Sequence, residues 1–236
     1  MNCCDWDVHY QNIVDIKSGK TKFYEALLRV KNREIEPFIR ELEMNGSIAD
    51  VTEFMLLRSA DFLRSLSEDI SLTINISPLE LDIENYSSRL IKIIKSQKLD
   101  ASRLVFEITE SRQMVNSFHA KRNMDALKAI GIRFAMDDFG MGYSNILLLA
   151  SYPFDYVKMD KCFLNDILVN NKKQYILQNI LCMLEGLGIS TIVEGVEGCF
   201  EYKLLKNFSV DYVQGYYLGK PMPLLTCSYK NKSFVI

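Results

Sequence analysis

The chain has 236 residues, 48% of them hydrophobic, with 28 Lys and Arg against 30 Asp and Glu for a formal charge of -2. That length encloses a sizeable core and suits one large domain better than two small ones. The balanced charge lacks the basic excess on which attraction to a phosphate backbone depends, so duplex nucleic acid is not an expected partner.

The first residues, Met1 to Asp7, show neither a basic leader nor an apolar signal core, and no later run reaches the length of a membrane span; a cytoplasmic location with no membrane segment is expected. Strands are predicted at Asp7 to Val14, Lys22 to Arg29, Leu72 to Ile76, Leu104 to Ile108, Ile132 to Met136, Tyr156 to Met159, Thr191 to Val193 and Tyr212 to Val213. Between them, Tyr86, Leu90, Ile93 and Ile94 recur at helical spacing, as do Ile176, Ile180, Met183, Leu184 and Leu187, which is the pattern of helices covering a sheet. A first hairpin-like pair followed by βα repeats in this length is what a (β/α)8 barrel requires, within a single domain over residues 1–236 and a core of about 8–223. The residues from Leu224 to Ile236 read as a tail.

In such barrels functional groups collect at the carboxyl ends of the strands. Asn75, Glu107, Asp137, Lys158, Glu194 and Gln214 all fall at or just after a predicted strand end, 20 to 36 residues apart. Most have a structural alternative: Asn75 and Glu194 as turn or cap residues, Glu25 and Glu107 as surface positions, Lys158 as a snorkelling side chain, and the Asp137-Asp138 pair as a helix cap with a solvated Asp beside it. Their joint placement is what those alternatives leave unexplained. The adjacent acids Asp137-Asp138, followed by Phe139-Gly140-Met141-Gly142-Tyr143-Ser144, are the sharpest feature, because two neighbouring carboxylates that stay ionised call for cations. With Glu25 they make an oxygen donor set suited to magnesium or manganese. Zinc is disfavoured, since Cys3, Cys4, Cys162, Cys182, Cys199 and Cys227 form no C-x-x-C pair and only His9 and His119 are present. Two such cations sharing Asp137 suit phosphodiester hydrolysis.

The chain resembles the EAL-domain cyclic di-GMP phosphodiesterases from about Tyr10 to Pro223. The resemblance rests on Tyr10-Gln11-Asn12-Ile13-Val14, Glu25-Ala26-Leu27-Leu28-Arg29, Asn75-Ile76-Ser77-Pro78, Glu107-Ile108-Thr109-Glu110, the Asp137 to Ser144 segment, Val157-Lys158-Met159-Asp160, Glu194-Gly195-Val196-Glu197 and Gln214-Gly215-Tyr216, in that order. Asn12 stands where the family usually has Pro, Val193 where Ala usually precedes the Glu, and Gly198 where Thr usually follows Glu197; the connection after Arg29 is also several residues shorter.

The resemblance implies a modified TIM barrel with one antiparallel strand and hydrolysis of cyclic di-GMP to linear pGpG. It implies two Mg2+ or Mn2+ ions per active site, the first on Glu25, Asn75, Glu107 and Asp137, the second on Asp137, Asp138 and Glu194. Lys158 is expected at the attacking water, so that Lys158, Glu25 and Glu194 form the catalytic group. Gln11, Leu28, Arg29, Asp160, Glu197 and Gln214 are expected around the substrate, and Glu110 is expected to brace the loop after Asp138. The resemblance further implies a homodimer, through helices near Tyr143 to Ser151 and Asp160 to Asn171. Modules of this type that have lost acidic ligands act instead as nucleotide sensors or interaction regulators, whereas here every expected acidic position is filled.

Overall fold

The computed structural model describes residues 5–109, 118–141 and 146–224. All eight predicted strands form: β1 (Trp6–Asp15), β2 (Thr21–Val30), β3 (Ser71–Ile76), β4 (Leu104–Thr109), β5 (Arg133–Phe139), β6 (Tyr156–Met159), β7 (Ser190–Val193) and β8 (Tyr212–Val213). A ninth, β9 (Met222–Pro223), is too short to have left a pattern in the sequence. The helices are α1 (Ile35–Met44), α2 (Ala49–Ser65), α3 (Pro78–Leu81), α4 (Tyr86–Ser96), α5 (Phe118–Lys128), α6 (Ile146–Ser151), α7 (Asn171–Gly186) and α8 (Cys199–Leu205). None is long and apolar enough to cross a membrane, among the described residues.

Strands β2 to β8 pair in parallel and in sequence order, as βαβ crossovers dictate. The tight turn after Asp15 sends β2 back along β1, which therefore runs antiparallel to both of its neighbours and closes the barrel. Strand β8 supplies only Val213 and Tyr212 opposite Val14 and Asp15; farther along the same edge of β1, β9 takes His9 and Tyr10. The closing seam is thus shared by two short strands, and the mouth lies at the carboxyl ends of β2 to β8. Only four residues, Lys31 to Glu34, join β2 to α1.

Alternation along each strand separates two apolar regions. Outward residues such as Tyr10, Ala26, Ile74, Phe106, Phe134 and Val157 pack under the helices in one extensive core. Inward residues Ile13, Phe23, Val105, Ala135, Tyr156 and Ile192 fill the lumen, joined by Tyr212. Arg133 seals the amino-terminal end: its guanidinium lies over the rings of Phe23 and Tyr156 at 5.8 and 5.5 Å and donates to the Tyr156 hydroxyl, to Ser71 Oγ and to the Ser102 carbonyl. With the lumen plugged below, polar inward side chains are left at the mouth.

The loop beyond β7 is pinned to the chain beyond β8, since Val196 N donates to the Gln214 carbonyl at 3.0 Å and Tyr217 N to the Val196 carbonyl at 3.1 Å. Gly215 makes this approach possible, because a Cβ there would stand 2.1 Å from Val196 O and 2.3 Å from Val196 N. The clash is with backbone, so no rotamer change relieves it. Gly215→Ala is therefore expected to destabilise the fold by about 2 kcal/mol or more, seen as a lowered midpoint in urea with an unchanged slope.

Candidate functional site

Lys158, the third residue of β6, points into the mouth and is 1% exposed. Its Nζ lies 2.7 Å from Glu107 Oε2, 2.9 Å from Glu194 Oε1, 3.1 Å from Asp137 Oδ1 and 3.5 Å from Glu25 Oε1. Four carboxylates thus surround an ammonium with three protons. Burial alone would lower the Lys158 pKa, but Asp137, Glu107, Glu194 and Glu25 outweigh it and hold the side chain well above its usual range.

The strands bring these groups to one level by different routes. Glu107 and Asp137 sit near the ends of β4 and β5, and Glu194 immediately follows β7. Glu25, by contrast, lies in the middle of the ten-residue β2, opposite Gln11 of β1 and beside Thr73 of β3, because β2 runs on past the mouth. It accepts from Asn75 Nδ2 at 3.2 Å and from Gln214 Nε2 at 2.7 Å. Gln214 also donates to Gln11 Oε1, and Gln11 donates to the Gly219 carbonyl at 2.9 Å, so a chain of amides holds Glu25 in one orientation. Burial pushes the Glu25 carboxyl up, yet Lys158, Gln214 and Asn75 bring it below the usual carboxylate range. Glu107 goes the other way: burial, with repulsion from Glu25 and Asp137, raises it well above that range despite Lys158.

Adjacent residues of a strand ordinarily face opposite sides, so one acid of the Asp137-Asp138 pair should point away from the mouth. The register between β5 and β6 shifts from Met136 opposite Val157 to Phe139 opposite Met159, so that two residues of β5 face one of β6. Asp138 takes a left-handed backbone at φ 57° within this bulge. The extra residue turns Asp138 back toward the mouth, where carboxylate oxygens of Asp137, Asp138 and Glu194 lie within 4.8 Å of one another. The loop then continues through Gly140 at φ 103°, where a Cβ would stand 2.3 Å from the Phe163 ring. Burial and the neighbouring Asp137 push Asp138 up to about 6, and burial followed by Asp137 and Glu25 pushes Glu194 up to about 8.

The other expected residues divide. Asp160 is buried and accepts from Cys162 N at 2.7 Å, capping a turn beside Asp138. Arg29 is half-buried near His9 at the rim, with its guanidinium donating to the Leu28 carbonyl. Leu28 itself faces outward, buried in the core under the helices with Val8 and Phe38, and brings only backbone near the mouth. Glu197 is exposed, its backbone N–H bonded to Glu201. The cap after β3 belongs to Ser77, not Asn75. Glu110, and Gly142 to Asn145 of the loop after Asp138, lie outside the described residues. The anchoring carbonyl of Gly219 is a backbone group, and no side-chain pattern foretells it.

Five carboxylates against one ammonium, with Glu107 Oε1 and Gln214 Oε1 buried and without hydrogen-bond partners among the described residues, make an all-oxygen cluster that fits hard divalent cations. In a chelator, Asp138 and Glu194 bind their protons more tightly folded than unfolded, so their contribution favours the fold at low pH and fades as pH rises through their raised pKa values. The melting temperature of cation-free protein is therefore expected to fall between about pH 5 and about pH 8, and Glu194→Gln to flatten that fall; calorimetric scans across the range check it.

A family profile described as EAL domain matches residues 4–221. An uncharacterized signaling protein of Caulobacter vibrioides is 33% identical over 222 residues, covering 92% of this chain and 27% of that protein. The cyclic di-GMP phosphodiesterase PdeB of Shewanella oneidensis is 31% identical over 230 residues, covering 92% of this chain and 26% of that protein. The chain thus spans about a quarter of the length of either relative. Among solved structures, a standalone versatile EAL protein from Vibrio cholerae O395 in its c-di-GMP bound form superposes with a TM-score of 0.80 at 28% identity, over 93% of each chain.

Proposed function

Because the chain belongs to the EAL domain family, we propose that it hydrolyses cyclic di-GMP to linear pGpG at this mouth, with two Mg2+ or Mn2+ ions. The observation that most supports this reading is the convergence of Glu25, Glu107, Asp137 and Glu194 on Lys158, with Asp138 turned in by the bulge to complete a second acidic group. Glu25, Asn75, Glu107 and Asp137 would hold one cation, and Asp137, Asp138 and Glu194 the other. Bound there, such ions polarise phosphoryl oxygens and lower the pKa of water toward neutrality.

The chain's own residues do the rest. Asn75 commits its amino group to Glu25, which leaves its carbonyl oxygen as the donor to a cation. Lys158 keeps its proton among four carboxylates, so it serves as a fixed positive donor that orients the attacking water and not as a base. In the reaction, the water oxygen bonds to phosphorus and gives up a proton, the bond from phosphorus to one ribose 3′ oxygen breaks, and that leaving oxygen takes up a proton, so that water is added across the bond. Arg29 meets a phosphate with its planar fork, and Gln11 and Gln214 line the floor beside Glu25.

Purified protein with Mg2+ or Mn2+ is expected to give linear pGpG by chromatography. Glu25→Ala is expected to lower the rate by more than the about 100-fold seen when supporting partners of metal sites are lost. Nucleotide binding without product would instead indicate a sensor, and neither binding nor product an interaction module. Arg29→Lys, which keeps the charge but loses the fork, is expected to raise KM with kcat largely retained, as steady-state kinetics will show.

A further inference from the structure

Glu80, on α3, is 1% exposed and takes no part in the mouth. Its carboxylate accepts from three donors on separate parts of the chain: the Tyr86 hydroxyl of α4 at 2.6 Å, the Thr52 hydroxyl of α2 at 3.1 Å and the backbone N–H of Ser77 at 2.8 Å. Ser77 is held a second time, by its hydroxyl donating to Glu43 Oε1 of α1 at 2.8 Å, and it lies two residues beyond Asn75. The chain leaving β3 is thereby clamped to three helices just past the Asn75 amide.

A helix of four residues does not by itself justify a buried acid. A neutral Gln at this position would also complete the capping box with Ser77. Burial pushes the Glu80 carboxyl up to about 7, against Tyr86, Ser77 and Thr52, which lower it, and with Glu43, which raises it further. Arg89 of α4, the nearby cation, is engaged by Glu53 at 2.6 Å and leaves Glu80 without a salt bridge among the described residues. The carboxylate gains its three simultaneous acceptor contacts at a cost in desolvation.

We propose that Glu80 is a positioning residue for the mouth: by holding Ser77 between α2 and α4, it sets the Asn75 carbonyl for cation binding. The inference rests on the reading of Asn75 as a ligand given above. It assigns Glu80 an effect on cation affinity that operates through Asn75 alone.

A double-mutant cycle on the full chain tests this, with Mn2+ alone as probe and binding followed by titration without nucleotide. Asn75→Ala is expected to weaken Mn2+ binding, and Glu80→Ala to weaken it by about tenfold, the lower end of the range for partners that orient metal ligands. In the Asn75→Ala background, Glu80→Ala is expected to weaken it no further. Glu80→Asp, which keeps the charge but is too short to span Ser77 and Tyr86, is carried through the same cycle in case Glu80→Ala does not fold. Additive losses, or a lowered melting temperature with Mn2+ affinity unchanged, would assign Glu80 a purely structural role and overturn the proposal. Unchanged affinity in Asn75→Ala alone would instead overturn the ligand reading, and the proposal with it.

Discussion

The ammonium of Lys158, fully buried at the barrel mouth, is the group on which the arrangement of four strands depends. Removing an ion from water costs several kcal/mol even after the protein relaxes, and that cost is offset only where opposite charges and hydrogen bonds are already in place. Glu25, Glu107, Asp137 and Glu194 supply the charges from β2, β4, β5 and the residue after β7, at 2.7 to 3.5 Å. The balance is lopsided, with Asp138 adding a fifth acid, and the raised pKa values of Glu107, Asp138 and Glu194 express the repulsion that remains. The same excess of negative charge that weakens the isolated fold is what a bound divalent cation would relieve.

The lumen below makes that cluster possible. Ile13, Phe23, Val105, Ala135, Tyr156 and Ile192 exclude water from beneath the acids, and Arg133 closes the far end by stacking on two rings while its donors reach Ser71 and Ser102. Above the lumen, side chains that could wander are tied to backbone: Gln11 to the Gly219 carbonyl, Asp160 to Cys162 N. The floor of the mouth is thereby tied together across β1, β2 and β8, where Glu25 is oriented by amides, whereas Glu197 on the rim is exposed.

Much of this arrangement is legible in the sequence. Short apolar runs between segments of helical spacing located all eight barrel strands, and the groups at their carboxyl ends, Asn75, Glu107, Asp137, Lys158 and Glu194, meet at the mouth. Leu28 is instructive in the other direction: it adjoins Arg29 in the sequence, yet alternation along β2 sends it into the core under the helices, and only its carbonyl serves Arg29. The sequence offers Glu25 as a mouth carboxylate but not its mid-strand place, since how far β2 continues beyond its neighbours depends on its long pairing with β1.

By itself, the sequence determined the alternation of strands and helices and the types of group offered to the mouth, because burial periodicity and residue chemistry are local properties. Only the tertiary structure decided how those groups meet. The bulge that turns Asp138 to the same side as Asp137 arises from pairing between β5 and β6. The seam shared by β8 and β9 needs β1 in place, and the clamp of Glu80 on Ser77 joins residues of three helices. The bulge, the seam and the contact of Glu80 with Thr52, 28 residues away, depend on contacts between separate segments, and no periodicity within a segment encodes them.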